Sequence, residues 1–235
     1  MNILITGANR GLGLCLTEAA LAAGHRVVAA VRNRASGLAA LAALSESYPG
    51  AVFVVELDVA SEDDARSAAE TVKREVGAID AIVNNAAILV GRSERIDTLD
   101  LEDVRKTFEI NLFGAMRVVK HFLPLLREGT GRRSIVNVSS EAGSFSNAYG
   151  KDYPYALSKS ALNYFSQQLA KDLASEDIAV LAVHPGWMRT DMGGERAPLD
   201  PRDSARSILE LVDRRKEAGK GAYAFVDFTG KDMPI

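Results

Sequence analysis

The sequence predicts an α/β fold: one domain over residues 1–235, a doubly wound parallel sheet with helices on both faces. Short β-branched or apolar runs alternate with longer amphipathic stretches along the whole chain, the pattern of repeated βαβ units. The apolar runs lack a clean apolar–polar alternation, as expected of strands covered on both faces. A glycine-rich turn from Thr6 to Gly13 separates the first run from the first amphipathic stretch, and right-handed crossovers then make the sheet parallel.

Asn2 to Thr6 reads as the first strand and Leu12 to Ala23 as the helix after it. Val27 to Val31, Ala51 to Glu56, Ile79 to Asn84, Ser134 to Ser139 and Ala179 to His184 repeat the strand signature of Val, Ile, Leu and Ala. Helical patterns fill the gaps over Ala39 to Ser47, Ser61 to Val76, Leu101 to Leu126, Tyr155 to Ser175 and Pro201 to Lys216. Ala222 to Phe228 is predicted to close the sheet. Ile88 to Thr98 and Met188 to Asp200 break the periodicity with polar residues, Gly and Pro. Loops beyond the carboxyl ends of parallel strands bind ligands in this architecture, and the second is expected to cover the substrate.

With 235 residues, 47% hydrophobic and 25% charged, the chain can bury one substantial core. Its formal net charge is -3 without a long run of one sign, so neither nucleic acid nor an anionic membrane is the expected partner. A small-molecule substrate is. Cys15 is the only cysteine, and His25, His121 and His184 lie far apart, so the sequence carries no disulfide framework and no metal-ligand cluster. The N-terminus enters a strand at once without the succession of a signal peptide, and no apolar stretch is long enough to span a bilayer. The expected location is cytoplasmic.

Thr6-Gly7-Ala8-Asn9-Arg10-Gly11-Leu12-Gly13 runs from a strand into a helix. Glycines there let backbone amides approach a pyrophosphate, and the helix N-terminus adds donors and a favourable dipole. With glycines at 7, 11 and 13, the turn resembles that of the short-chain dehydrogenase/reductase family, Thr-Gly-x-x-x-Gly-x-Gly. The resemblance implies a Rossmann fold and a nicotinamide dinucleotide held by Gly7, Asn9, Arg10, Gly11, Leu12 and Gly13. NAD-selective versions carry an acid at the end of the second strand; here that strand ends Ala29-Ala30-Val31-Arg32-Asn33-Arg34. A guanidinium at Arg32, with Arg10 beside it, suits a 2′-phosphate, so the expected cofactor is NADP(H). Asp58-Val59 resembles the family's adenine-pocket pair, although Asp58 can equally cap the helix that begins near Ser61. Asn84-Asn85-Ala86-Ala87 matches a further cofactor segment with Asn85 and Ala86 in contact, except that Ala87 stands where the family usually has glycine.

Tyr155-Ala156-Leu157-Ser158-Lys159 places a phenol and an ammonium on one face of a helix. A phenol has a pKa of about 10, so proton transfer near neutrality benefits from a positive charge beside it. Lys159 and the oxidised nicotinamide are expected between them to bring the Tyr155 phenol down. Upstream, Ile135 to Gly143 resembles the family's fifth strand and catalytic serine; Ser140, three before Gly143, matches better than Ser139, which remains a second donor or a strand-end cap. Lys159 selects Tyr155 over Tyr153 and Tyr149. Asn111, in Phe108-Glu109-Ile110-Asn111-Leu112-Phe113-Gly114, completes the family's tetrad, and the resemblance implies support of a proton relay. Pro185-Gly186-Trp187-Met188-Arg189-Thr190 resembles the segment bordering nicotinamide, which adds Pro185, Gly186, Met188 and Thr190 to the cofactor contacts, with Tyr155 and Lys159. Trp187 and Met188 can instead be packing residues or an apolar substrate wall.

The resemblance spans essentially the full chain, with five motifs in order, and is particularly close to C-factor and sniffer-like carbonyl reductases. It implies hydride transfer between NADP(H) and an aldehyde, ketone or alcohol, with Tyr155 as the proton donor in reduction. An NADP(H)-binding signalling or regulatory protein with incidental catalysis is the alternative. The helices over Leu101 to Leu126 and Tyr155 to Ser175 resemble the family's dimerisation surface, which implies a homodimer.

Overall fold

The computed structural model describes residues 1–33, 38–219 and 221–235; Arg34, with which the predicted second strand ended, lies outside them. Seven parallel strands form one sheet in the order β3-β2-β1-β4-β5-β6-β7: β1 (Asn2–Thr6), β2 (Arg26–Val31), β3 (Val52–Glu56), β4 (Ala81–Asn84), β5 (Arg133–Val138), β6 (Ile178–His184) and β7 (Phe225–Asp227). The connecting helices are α1 (Gly11–Ala22), α2 (Ala39–Ser47), α3 (Glu62–Glu75), α4 (Leu101–Phe108), α5 (Gly114–Arg127), α6 (Tyr153–Asp172) and α7 (Pro201–Val212).

Successive strand residues point to opposite faces, and both faces are apolar here. Ile3, Ile5, Ala81 and Val83 join α1, α2 and α7 in one buried layer, whereas Leu4, Ile82 and Ile135 join α3, α5 and the end of α6 in the other. This double burial explains why the strands read as unbroken apolar runs. Burying one such side chain contributes about 1.5–3 kcal/mol. β1 pairs with β2 on one side and β4 on the other, so the chain direction of winding reverses there and opens a crevice above the carboxyl ends of β1 and β4.

Several boundaries differ from those predicted. The stretch Leu101 to Leu126 is not one α-helix: a π-helical turn, Glu109–Phe113, separates α4 from α5. Ser61 lies outside α3 as its cap, accepting a hydrogen bond from Asp64 N. α6 starts two residues earlier than expected, with Pro154 in its first turn, where a missing N–H costs nothing. α7 stops at Val212, two residues before Arg214 takes a left-handed φ of +55°. β7 keeps only Phe225–Asp227 of the predicted closing strand, since its pairing with β6 spans just Ala182 to His184.

Candidate active site

A cleft of about 1400 Å³ lies over the carboxyl ends of the strands. One end is built from the glycine turn. Thr6 Oγ1 accepts hydrogen bonds from the backbone N–H groups of Asn85 and Ala86, each at 3.0 Å, and Asn85 Nδ2 donates to Thr6 O at 2.9 Å. The loops after β1 and β4 are thereby fastened together. Gly13 sits behind the turn rather than on the cleft: a Cβ there would stand 2.1 Å from Gly7 O and 2.6 Å from Asn85 Nδ2. Gly13→Ala is therefore expected to displace the turn, costing about 1–3 kcal/mol. Thermal unfolding should shift down by roughly 2–4 °C per kcal/mol at this chain length, with dinucleotide affinity lost in parallel.

Gly7, Asn9, Arg10, Gly11, Leu12, Arg32, Asp58, Val59, Asn85 and Ala86 all line this end of the cleft. Arg10 is exposed and pairs only loosely with Asp191, at 3.7 Å; Arg32 is also exposed. Two guanidiniums flank the glycine turn, a donor set that fits a ribose phosphate. Asp58 uses Oδ1 to accept from Ala60 N at 2.9 Å, and the α3 cap is Ser61, so Asp58 does not cap that helix. Asn85 spends its amide protons on Thr6 and Gly7 carbonyls, which ties loops together from within the cleft wall. Ala87 has no left-handed φ, so the alanine needs no glycine-like backbone.

The other end gathers the predicted catalytic side chains. Ser140 Oγ accepts from Ala142 N at 3.1 Å, which caps a short turn and leaves its proton to be donated toward the Tyr155 hydroxyl. Ser139 is buried and donates its hydroxyl to Asn163 Oδ1, so Ser140 is the serine that presents a donor. Tyr155 faces the cleft beside it. Lys159 is buried, donates to Val138 O at 2.7 Å and lies 5.5 Å from the centroid of the Tyr155 ring. A Cβ on Gly143 would stand 2.6 Å from the Lys159 carbonyl carbon; its absence lets α6 close against the short turn Glu141–Gly143 that follows β5. A buried polar chain, from Asn84 through Asn137 to Ser166, fixes the same helix from below.

The protein's own groups act on the phenol in the opposite direction to the lowering expected of Lys159 and nicotinamide together. The Tyr155 phenol is not brought down: the protein packed around its hydroxyl pushes it above the ordinary value, opposed by a hydrogen bond with Ser140 and reinforced by the Asp152 charge. Burial also depresses the Lys159 amine, to about 7. Burial is the largest of the effects on the phenol. Linkage then gives a sign: the unfolded chain, with Lys159 near 10.5, binds more protons than the folded one between about pH 7 and 10.5. Stability rises with pH across that window. Denaturant titrations should show this gain in the wild type and not in Lys159→Met.

Asn111 does not reach the cleft surface. It is buried in the π-helical turn, accepts from Ile88 N at 2.9 Å, and donates to Ile88 O at 3.0 Å and Ser158 Oγ at 3.1 Å. Its contacts join the wall residue Ile88 to α6, since Ser158 Oγ donates to Tyr155 O. Pro185, Gly186, Met188 and Thr190 line the cleft. Met188 is also part of the buried apolar layer, whereas Trp187 is 53% exposed with Nε1 donating to Gly193 O. The loop is thus closed on itself, with Leu199 N bonded to Trp187 O at 3.2 Å. Unforeseen wall residues are Ile88, Leu89, Val90, Arg92, Glu141 and Asp152. They sit in or beside loops without periodicity, so the sequence carried no signal for them.

The short chain dehydrogenase family model matches residues 1–199. The chain belongs to the short-chain dehydrogenase family. This dehydrogenase is 37% identical over 159 residues to the C-signal protein of Myxococcus xanthus, which covers 67% of the chain and 93% of the relative. Its fold superposes on the carbonyl reductase Sniffer of D. melanogaster with a TM-score of 0.90 at 31% identity, covering 100% of this chain and 99% of the other. The NADPH-bound carbonyl reductase from chicken fatty liver gives a TM-score of 0.88 at 28% identity, over 100% and 98% of the two chains. The family is one of oxidoreductases. Among the described residues no helix is long and apolar enough to cross a membrane.

Proposed function

We propose that this short-chain dehydrogenase reduces an aldehyde or ketone with NADPH, and that Tyr155 protonates the nascent alkoxide. The observation that carries this reading is the convergence of Ser140, Tyr155 and Lys159 at one end of a cleft whose other end holds the glycine turn, Arg10 and Arg32. When bound, the dinucleotide supplies the hydride. Ser140 turns its proton from the Tyr155 oxygen to the substrate oxygen and holds that oxygen beside the phenol. Tyr155, kept protonated by its raised pKa, enters as a proton donor, which suits reduction. Lys159, 5.5 Å from the centroid of the Tyr155 ring, favours phenolate when it carries its proton. Asn111 acts by positioning Ile88 and Ser158. The apolar wall of Ile88, Leu89, Val90 and Trp187 suits a hydrophobic substrate body.

The sequence likeness to C-signal favours a second reading, in which NADP(H) binding regulates a signalling interaction and catalysis is incidental. An NADPH-oxidation screen over aldehydes, ketones and quinones separates the two. Saturable turnover of a carbonyl compound supports the reductase. Tight NADPH binding with no oxidation across the panel supports the other.

A further inference from the structure

The chain entering α6 passes through two successive left-handed residues, Lys151 (φ +71°) and Asp152 (φ +52°), a conformation unfavourable for residues with a Cβ. Asp152 holds the N-cap position, where an aspartate ordinarily accepts from the first helical amides, yet it makes no such bond. The residue lines the cleft instead. Asp152 is only 9% exposed. Oδ2 accepts from the Tyr149 hydroxyl at 3.2 Å, and Arg92 Nε stands 3.8 Å from it, beyond hydrogen-bond distance. Oδ1 is buried with no hydrogen-bond partner among the described residues. A buried carboxylate oxygen without a donor is unfavourable and calls for one.

The neighbours indicate what kind of donor fits. Tyr149 has one proton and gives it to Oδ2. The ionisable groups lining this end of the cleft include Asp152, Glu141, Arg92 and Lys159, the last depressed to about 7 by burial; Arg92 stays beyond hydrogen-bond distance of Asp152, so the carboxylate itself calls for a cation or a neutral donor and not for an anion. The carboxylate is also felt by both phenols. Burial and then the Asp152 charge push Tyr149 up to about 12, and the same charge adds to the raised value of Tyr155. Asp152 is thus close to the reacting hydroxyl, one helical turn before it in the chain.

Resting on the reductase reading above, we propose that Asp152 is a second recognition point of the same site, taking a hydroxyl or ammonium group borne near the substrate carbonyl. The favoured substrates are then hydroxy- or amino-carbonyl compounds with an apolar body. Steady-state NADPH oxidation with propiophenone, phenacyl alcohol, phenacylamine and benzoylacetate tests this, because the four differ only in the group beside the ketone. The expected kcat/KM for phenacyl alcohol or phenacylamine exceeds that for propiophenone by about tenfold or more, with benzoylacetate poorest. In Asp152→Asn the ratio of phenacylamine to propiophenone should fall to near unity. Equal rates for all four wild-type reactions overturn the subsite, as does a preference for benzoylacetate, which would make Arg92 the recognition group. The change in that ratio between wild type and variant decides the matter, because an α-hydroxyl or α-ammonium group also activates the carbonyl by itself; Asp152→Ser gives the same comparison if Asp152→Asn does not fold. No oxidation with any of the four ketones, with NADPH bound, overturns the reductase reading itself and the subsite with it.

Discussion

Tyr155→Phe is expected to lower kcat for carbonyl reduction by about 10²–10⁴-fold while NADPH still binds. The substitution removes one oxygen and leaves the ring in place, so the packing of α6 against β5 is preserved. It deletes the group that Ser140 faces across the substrate oxygen and that Lys159 approaches to 5.5 Å. The effect falls on kcat because the proton is needed as negative charge develops on the substrate oxygen, not while NADPH binds. Stopped-flow mixing of variant and substrate with bound NADPH reads the chemical step, and fluorescence titration reads binding. Retention of most wild-type turnover would remove Tyr155 from the reaction.

The second large effect is in cofactor choice. Arg32 is an exposed guanidinium on the cleft rim, and a charge-assisted hydrogen bond to a phosphate is worth about 1.5–3 kcal/mol, or roughly 10- to 100-fold. Arg32→Asp replaces that donor with an acceptor for ribose hydroxyls and a like charge toward phosphate. The ratio of kcat/KM for NADPH over NADH should therefore fall by about a hundredfold or more. Equal losses with both dinucleotides would show that Arg32 serves the fold of the rim and not the phosphate. Arg10 remains in the variant, so some preference for NADPH is expected to survive.

Much of this was legible in the sequence because burial on both sheet faces leaves a direct trace. Residues such as Ile3 and Leu4 point to different helical layers, yet both must be apolar, and the strands stand out as unbroken runs. The glycine turn and the pair Tyr155 and Lys159 were legible because their geometry is local, one turn of chain or one turn of helix. The interruption at Glu109–Phe113 was not. Asn111 is held there by Ile88 and Ser158, contacts remote in sequence, and the helical apolar pattern on either side of the π turn hides the break. The direction of the Tyr155 shift was missed for a related reason. Spacing shows that Lys159 is near, but only the packing shows that both groups are buried enough for desolvation to be the largest effect on each. Asp152 left no trace, because its role depends on a left-handed backbone that turns the carboxylate away from the helix end.

The central claim, hydride transfer from NADPH to a carbonyl carbon at the Ser140–Tyr155 end of the cleft, is tested most directly by isotope tracing. The protein is incubated with NADPH deuterated at the transferable position and a ketone that it consumes, and the product is analysed by mass spectrometry. The account predicts one deuterium on the carbinol carbon in the wild type and a greatly reduced rate of label transfer in Tyr155→Phe. NADPH that binds and is consumed while the carbinol carbon stays unlabelled would contradict it.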